Sequence, residues 1–271
     1  METDLSGKVV MITGASGAIG SAIALRFAQE SAKVVLHYRS NRANVEALER
    51  KLGSVDSIIV GADLAKEAEA RRTFGHVLKR FGRVDTLIVN AGSWESRDIP
   101  LHKMSLRQWQ RTFDNVLTSA FLSLREFLQI VARQKRGNAV LIASTAAAFG
   151  EAGHADYAAA KSAMAFGLTR SLKNEIARLA RTTRAYCGGR VNCICPGWTI
   201  VPRTAERLKN ATVVRRVTAT MALPKLAQPD DIAGATVFLS SDTLAGHITG
   251  QTFIIAGGME GRLLWPAREA D

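Results

Sequence analysis

The chain has 271 residues, of which 47% are hydrophobic and 22% charged, and these values are ordinary for a soluble globular protein. No apolar run approaches the ~18 residues of a membrane span, and the acidic start of the chain lacks the segments of a secretory signal, so a cytoplasmic protein with no membrane partner is expected. The net charge of +12 favours anionic partners, but the basic residues are spread along the helices, which favours a solvated basic surface over a nucleic-acid interface.

Short apolar runs alternate with helical stretches along almost the whole chain. Strands are predicted near residues 8–13, 33–38, 57–61, 84–89, 138–143, 190–195 and 251–255. Helices are predicted near residues 19–30, 42–52, 66–81, 105–134, 155–182 and 229–240. This alternation predicts an α/β fold of the Rossmann type, a doubly wound parallel sheet of about seven strands with helices on both faces. No repeat or linker divides the chain, so residues 1–271 are expected to form a single domain.

A glycine-rich turn, Thr13-Gly14-Ala15-Ser16-Gly17-Ala18-Ile19-Gly20, lies between the first strand and the first helix. Its glycines let backbone approach a ligand closely, and the free N–H groups and dipole of the helix favour an anion. Strand, turn and helix in this order predict a pyrophosphate site, although a glycine turn can also be a plain βα connection. The residues predicted to contact the cofactor here are Gly14, Ser16, Gly17, Ile19 and Gly20.

Tyr157 and Lys161 are four residues apart at the start of a predicted helix and therefore share one face. A cation held beside a phenol stabilises the phenolate and lowers a pKa that is normally ~10. The pair is thus a candidate general acid/base near neutral pH. Such a pair also arises by chance, and it carries weight here because the chain also contains a phosphate-binding turn.

Two segments lie outside the regular alternation. Residues 198–223 follow the carboxyl end of a strand, where ligands bind in open α/β sheets, and are predicted to form a substrate lid; a plain pair of surface helices is the alternative.

The tail, residues 259–271, contains Leu263, Leu264 and Trp265, which would form an exposed hydrophobic patch in water. We expect the tail to pack across a subunit interface, with packing on its own subunit as the alternative.

The three cysteines, Cys187, Cys193 and Cys195, do not suggest a disulfide framework. Cys193 and Cys195 share one face of a predicted strand, and burial explains them. No metal site is expected, because no further ligands occur at matching spacing.

Together these features resemble the short-chain dehydrogenase/reductase family, from Gly7 to about Gly258. The glycine turn and the Tyr-x-x-x-Lys pair both match. The further matching motifs are Asn90-Ala91-Gly92 after the fourth strand, Ser144 thirteen residues before Tyr157, Pro196-Gly197 before the lid and Ile248-Thr249-Gly250-Gln251 before the last strand.

The resemblance implies a site that transfers a hydride between a nicotinamide cofactor and a carbonyl or alcohol. It implies a catalytic tetrad of Asn115, Ser144, Tyr157 and Lys161. Tyr157 is expected to donate the proton and Ser144 to hold the substrate oxygen, while Lys161 keeps the tyrosine acidic and grips the nicotinamide ribose. Asn115, within a predicted helix, is expected to hold a relay water, with a surface Asn as the alternative.

Further cofactor contacts follow from the same resemblance. Asp63 is expected to meet the adenine ring, and its alternative role is to cap the helix that starts near Lys66. The remaining contacts implied are Leu64, Asn90, Ala91, Gly92, Tyr157, Lys161, Pro196, Gly197 and Thr199.

The end of the second strand carries Tyr38, Arg39 and Ser40. NAD enzymes commonly place an acidic residue there to bind the ribose 2′-hydroxyl. A guanidinium and a hydroxyl suit a 2′-phosphate instead. NADP(H) is therefore favoured over NAD(H), and an exposed arginine at a strand end is the alternative.

Four departures from the family pattern limit what it implies about the substrate. Ala18 replaces the middle glycine of the turn, and Val201 stands where a cofactor-contacting Thr is common, with Thr199 nearby. Residues 178–189 lengthen the link before the sixth strand. Ala256 replaces an acidic residue often found after the last strand.

We expect an NADP(H)-dependent carbonyl reductase or alcohol dehydrogenase, and 3-oxoacyl-(acyl carrier protein) reductase is the family's commonest role with these features. A basic lid and the 178–190 segment would suit an acidic carrier. The alternatives are a dehydrogenase of a small alcohol, sugar or cyclic ketone, and a non-catalytic nucleotide-sensing or nucleic-acid-binding protein.

Family members are usually dimers or tetramers, so a homotetramer or dimer is expected. The residues predicted to line the substrate pocket are Trp94, Ser144, His154 and Trp198.

Overall fold

A seven-stranded sheet forms the centre of the protein. The computed structural model describes residues 2–261, apart from the side chains of Arg203 and Arg207. The strands are β1 (Val9–Ile12), β2 (Lys33–Tyr38), β3 (Ser57–Gly61), β4 (Thr86–Val89), β5 (Asn138–Ile142), β6 (Arg190–Pro196) and β7 (Thr252–Ile255). Their order is β3-β2-β1-β4-β5-β6-β7, and all neighbours run parallel. The predicted Rossmann-type sheet is confirmed.

The strand order reverses at β1. Val10 of β1 pairs with Val34 of β2 on one side and with Thr86 of β4 on the other. Both β1 and β4 are buried along their whole length, as expected for Val/Ile/Leu-rich strands covered on two faces. In open α/β sheets ligands bind outside the carboxyl ends of the strands at such a reversal. The fold therefore places a crevice beyond Ile12 and Val89.

Helices cover both faces of the sheet. One core contains Ile23, Leu48 and Val237, and the opposite core contains Phe74 and Phe127. The long helices are α1 (Ala18–Gln29), α2 (Arg42–Lys51), α3 (Glu67–Phe81), α4 (Leu106–Phe113), α5 (Ser119–Gln134), α7 (Ala155–Ser162), α8 (Thr169–Leu179), α10 (Ala211–Thr218) and α11 (Pro229–Ser240). The short helices are α6 (Thr145–Phe149), α9 (Pro202–Ala205) and α12 (Asp242–Ala245).

Two predicted helices contain wider turns. The stretch predicted at 105–134 consists of α4, a π-helical segment (Asp114–Thr118) and α5. The stretch predicted at 155–182 consists of α7, a π-helical segment (Ala163–Leu168) and α8, which ends at Leu179. Single π-helical turns are frequently found at functional sites.

Residues 198–223 contain α9, a 3-10 turn (Arg207–Lys209) and α10. The tail prediction lies outside the described residues, apart from Met259, Glu260 and Gly261. No helix within residues 2–261 is both long enough and apolar enough to cross a bilayer.

The segment 178–189 lies at the amino end of the sheet, which is the end where the strands begin. The Tyr186 hydroxyl accepts a hydrogen bond from the Gly137 N–H (2.9 Å) and donates one to the Gly137 carbonyl (3.1 Å), immediately before β5. Within one chain the segment is thus remote from the carboxyl ends of the strands and does not border the crevice.

Arg190, the first residue of β6, is buried at the same end. Its guanidinium donates to the Leu239 carbonyl (2.8 Å) and the Ser241 carbonyl (3.1 Å) at the end of α11. It also pairs with Asp242 at 2.9 Å. A buried cation at a helix C-terminus meets the carbonyl groups that have no helical partner.

Candidate active site

A cleft of about 590 Å³ opens at the carboxyl end of the sheet. It begins beyond β1 and β4 and extends to the ends of β5 and β6. Among the predicted site residues, those that line it are Gly14, Ser16, Gly17, Ile19, Gly20, Arg39, Ser40, Asp63, Leu64, Asn90, Ala91, Gly92, Trp94, Asn115, Ser144, Tyr157, Lys161, Pro196, Gly197, Trp198 and Thr199. Residues separated by up to 185 positions in the chain are thus brought to one cavity.

The glycine turn has the shape of a phosphate cradle. Gly14 has a φ of +67°, and a Cβ there would lie 2.9 Å from the Ala91 Cα, so backbone packing requires glycine. A Cβ on Gly20 would overlap the Gly14 carbonyl. At Gly17 the nearest atom to a Cβ is 3.5 Å away, and this position faces the cleft. The first turn of α1 carries no Asp or Glu, so an anion meets its free N–H groups unopposed.

Asn90 connects this turn to β4. Its side-chain amide donates to the carbonyls of Thr13 (3.0 Å) and Gly14 (3.1 Å). The Thr13 hydroxyl in turn accepts from the N–H groups of Asn90 (2.9 Å) and Ala91 (3.0 Å). These bonds hold the carbonyl side of the turn, while Gly17, the N-cap of α1, provides no side-chain cap for the N–H groups at the start of the helix.

Lys161 is buried at the floor of the cleft. Its ammonium group donates to the Ile142 carbonyl at the end of β5 (2.7 Å) and lies 5.8 Å from the centre of the Tyr157 ring. Burial lowers the pKa of Lys161 to about 8. The cation and the phenol are therefore on one helix face, as their spacing predicts.

Asp156 anchors the start of the helix that carries this pair. It is 1% exposed and accepts from the Thr112 hydroxyl (2.6 Å), the Gln108 amide (3.3 Å) and the Tyr157 N–H (2.9 Å). These bonds join α7 to α4 beside Tyr157. No motif in the sequence signals this role, because the partners lie 44 and 48 residues away.

Ser144 and Asn115 line the same cleft as Tyr157. Ser144 follows β5 and caps α6, its hydroxyl oxygen accepting from the Ala146 N–H (3.1 Å). Asn115 lies in the first π-helical segment, which displaces it from a regular helical position. Its side-chain oxygen accepts a hydrogen bond from the Arg39 guanidinium, so this arginine reaches across the cleft.

A family model described as enoyl-(acyl carrier protein) reductase matches residues 14–260. A 3-oxoacyl-(acyl-carrier-protein) reductase from Synechocystis sp. is 33% identical over 259 residues, covering 95% of this chain and 98% of the relative. A protein of the same name from Staphylococcus aureus is 33% identical over 254 residues, covering 93% and 98%. The chain belongs to the short-chain dehydrogenase/reductase family. The resemblance inferred from the motifs is confirmed, and the protein is an oxidoreductase of this family.

Two predicted site residues of this short-chain dehydrogenase/reductase do not border the cleft. The Tyr38 ring packs against Gly61, where a Cβ would lie 2.8 Å from it, because alternate residues of β2 point to opposite faces. His154 is 3% exposed, and its ring nitrogen Nε2 lies 2.9 Å from the Glu95 carbonyl. The structure therefore places Tyr38 and His154 outside the lining of the cleft to which the other predicted site residues belong.

Asp63 lines the cleft, and the alternative role as a helix cap is not observed. Its carboxylate accepts from the Ala65 N–H at 3.1 Å, while the N-cap residue of α3 is Lys66. Several residues that line the cleft were not predicted from the sequence, and His37 and Asn44 are the two on the side of β2. The alternation along β2 was a usable signal for His37, because it places His37 and Arg39 on the same side of the strand.

Trp94 and Trp198 form the outer walls of the cleft. The Trp94 ring lies 6.0 Å from the Tyr157 ring, measured between centres. Trp198 packs beside Met221, Ala256 and Met259. The site therefore joins a polar floor at Lys161 to an aromatic entrance.

Proposed function

We propose that the protein is an NADP(H)-dependent reductase of 3-oxoacyl groups carried by an acidic carrier protein. The observation that supports this most is the convergence of Asn115, Ser144, Tyr157 and Lys161 on the cleft that the glycine turn opens. The names of the relatives from Synechocystis sp. and Staphylococcus aureus support the substrate class. The oxygen of a 3-oxo group becomes negative during reduction, and hydroxyl donors suit that charge.

The residues of the cleft have separate roles in this reaction. A bound NADPH supplies the hydride that reaches the substrate carbon. Tyr157 gives its hydroxyl proton to the substrate oxygen, and the Ser144 hydroxyl holds that oxygen. Lys161 in its protonated form stabilises the phenolate left on Tyr157. Asn115 holds a water through which a proton returns to Tyr157 from solvent. Oxidation of the alcohol uses the same groups in reverse.

The preference for NADP(H) is supported by the end of β2. Arg39 and Ser40 border the cleft there, and no carboxylate stands at positions 38–40 to repel a phosphate. The Arg39 guanidinium now contacts Asn115, and a 2′-phosphate offers it two anionic oxygens in a fork geometry instead. We infer that Arg39 turns from Asn115 to the phosphate when NADPH binds.

Residues 198–223 are proposed as the substrate lid. Trp198, Thr199, Val201, Pro202 and Thr204 all border the cleft from this segment. Its helix α10 exposes Arg215 and Arg216. An acidic carrier would be attracted to these charges while its acyl group enters past the aromatic entrance.

A dehydrogenase of a cyclic ketone or small alcohol is the second candidate function. Trp94 and Trp198 favour it, because two aromatic walls suit a flat apolar ring. It needs no carrier, so the two functions differ in their response to surface charge.

A homotetramer or dimer is also proposed. Phe238 on α11 and Ile254 on β7 are exposed by 38% and 46%, and a second copy would bury these side chains.

The deciding experiment compares a carrier-linked 3-oxoacyl substrate with a small free ketone, each with NADPH and with NADH. We expect the highest kcat/KM for the carrier-linked substrate with NADPH. Reversing Arg215 and Arg216 to Glu should raise its KM at low salt and leave the free ketone unaffected. The matched control reverses Arg181 and Arg184, which are exposed in the segment at the opposite end of the sheet.

A loss confined to the Arg181 and Arg184 variant would place carrier docking at the segment 178–189 instead of at the lid. Equal effects on both substrates, or turnover of cyclic ketones alone, would favour the second candidate function.

A further inference from the structure

His37 joins two parts of the cofactor cleft. It is 2% exposed, and its ring borders the cleft next to the glycine turn. Its Nδ1 atom accepts a hydrogen bond from the Gly14 N–H at 3.1 Å. Nε2 therefore carries the ring proton and donates to the Ala62 carbonyl at 3.0 Å. One side chain thus bridges the turn after β1 and the end of β3.

The main chain of His37 holds the same turn. Its carbonyl accepts from the Ala15 N–H at 2.8 Å, so two successive N–H groups of the turn bond to this one residue. Asn90 holds the carbonyl groups of Thr13 and Gly14 from the other side. The turn is fixed on both sides, and the N–H groups at the start of α1 remain for an anion.

The far end of the bridge leads to the adenosine part of the cleft. Ala62 precedes Asp63 and Leu64, which border the cleft after β3. The His37 ring therefore adds a side-chain link between the phosphate turn and this wall, beside the main-chain bonds from the Ala15 N–H to the His37 carbonyl and from the Ala62 N–H to the Tyr38 carbonyl. A change of that separation alters the fit of a dinucleotide without touching Tyr157 or Lys161.

We propose that His37 is a positioning residue for the dinucleotide. Its neutral ring clamps Gly14 to Ala62, so that the glycine turn and the wall after β3 lie at the separation that the pyrophosphate and the adenosine of one ligand require. This inference rests on the proposed function only in requiring a dinucleotide as ligand.

The surroundings of the His37 ring favour its neutral form, which the clamp requires. Burial, reinforced by the neighbouring Arg39 guanidinium, lowers the pKa of His37 to about 4, while the Ala62 carbonyl and Asp63 act in the opposite direction. Protonation would place an Nδ1–H donor against the Gly14 N–H and break that bond. The clamp is therefore intact throughout the neutral range.

Three substitutions separate the two halves of the clamp. His37→Phe removes both hydrogen bonds and keeps a ring. In His37→Asn the side-chain oxygen can take the place of Nδ1, which retains the bond to Gly14. In His37→Gln the amide can reach the place of Nε2, which retains the bond to Ala62.

Binding of NADPH and of ADP is measured by calorimetry at pH 7, together with kcat at saturating NADPH and the melting temperature. His37→Phe should weaken both ligands by about tenfold, the scale of one lost buried hydrogen bond, with little change in kcat. His37→Asn should recover most of the ADP affinity, and His37→Gln should recover less, because the bond to Gly14 positions the pyrophosphate.

A lowered melting temperature with unchanged dissociation constants in His37→Phe would show a structural role only and overturn the proposal. So would equal affinities in His37→Asn and His37→Gln. Wild-type protein that binds neither NADPH nor ADP would overturn the proposed function and the clamp together, whereas intact wild-type binding confines any failure to the clamp.

Discussion

The two ends of the sheet bury polar side chains for different purposes. At the amino end, the Arg190 guanidinium is surrounded by carbonyl oxygens and Asp242, and the Tyr186 hydroxyl is bonded to both polar groups of Gly137. At the carboxyl end, Lys161 is equally buried, but it lies at the floor of an open cleft and its pKa is lowered to about 8. Arg190 therefore joins segments of the main chain, whereas a buried lysine whose pKa is lowered in a cleft is a candidate functional group.

The largest expected effect concerns stability at the amino end. Arg190→Leu removes the cationic partner of Asp242 and the donor to the Ser241 carbonyl, while the Leu239 carbonyl keeps its bond from the Asn138 amide. We expect a loss of about 3–5 kcal/mol in the free energy of unfolding. Urea denaturation measures it. The control is Arg26→Leu, which removes an exposed pair with Asp230 and should cost no more than about 1 kcal/mol. Similar losses in both variants would remove the distinction between buried and exposed arginines.

Tyr157→Phe is the corresponding test of the carboxyl end. It removes the proton donor and keeps the ring against Trp94. Turnover should fall by at least ~100-fold, the scale of general acid catalysis, while the melting temperature and NADPH affinity stay close to wild type. Steady-state kinetics and calorimetry give both quantities. A folded variant that keeps its turnover would exclude Tyr157 as the acid.

Lys161→Met should separate stability from activity. Below pH 8 the lysine is protonated in both the folded and unfolded states, and the folded protein carries the full penalty of burying the charge. Between pH 8 and 10.5 the folded state loses the proton first, so the penalty disappears as pH rises. The variant should be inactive yet more stable than wild type at pH 7, by at most ~3 kcal/mol.

Melting curves from pH 6 to 10.5 would show this. The extra stability of Lys161→Met over wild type should decrease as the pH rises. A gain that is independent of pH would point to packing of the methionine rather than to the removed charge.

Cofactor choice should change with Arg39→Asp. The substitution replaces a partner of a 2′-phosphate with an acceptor for a ribose 2′-hydroxyl. Loss of a charge-assisted hydrogen bond corresponds to roughly 10- to 100-fold in NADPH affinity, and NADH should improve. The ratio of kcat/KM for the two cofactors measures the change. A wild-type enzyme that already prefers NADH would contradict the assignment of Arg39.

The carboxyl end was predicted from the sequence in more detail than the amino end. The glycine turn, Ser144 and the Tyr157–Lys161 pair are local sequence patterns. Their residue types and spacing are enough to predict a phosphate site and a proton donor. Arg190 gives no such signal, because its partners lie 49 to 52 residues away and only the folded chain shows that it is buried. The strands were predicted within two residues, since apolar runs between turns define them.

The differences between the predicted site and the lining of the cleft have a common cause. Tyr38 and His154, which lie outside the lining, were assigned by their position in a motif or loop, and such a position does not give the direction of the side chain. His37 was overlooked, although it is next to Tyr38, because its contacts to Gly14 and Ala62 are 23 and 25 residues away. The π-helical segments were also missed, because one wider turn leaves the apolar period of a helix almost unchanged.

The smallest effect is expected from Tyr186→Phe, the same chemical change as Tyr157→Phe but at the opposite end of the sheet. It removes the two hydrogen bonds to Gly137 and keeps the ring under the Arg136 guanidinium, which lies 4.9 Å from its centre. We expect a loss of about 1–2 kcal/mol in unfolding free energy and an unchanged kcat. The pair of variants therefore predicts a crossed result, with turnover lost at one end and stability at the other. If Tyr186→Phe lowered kcat in fully folded protein, the amino end of the sheet would be coupled to the cleft, and the division between the two ends would have to be abandoned.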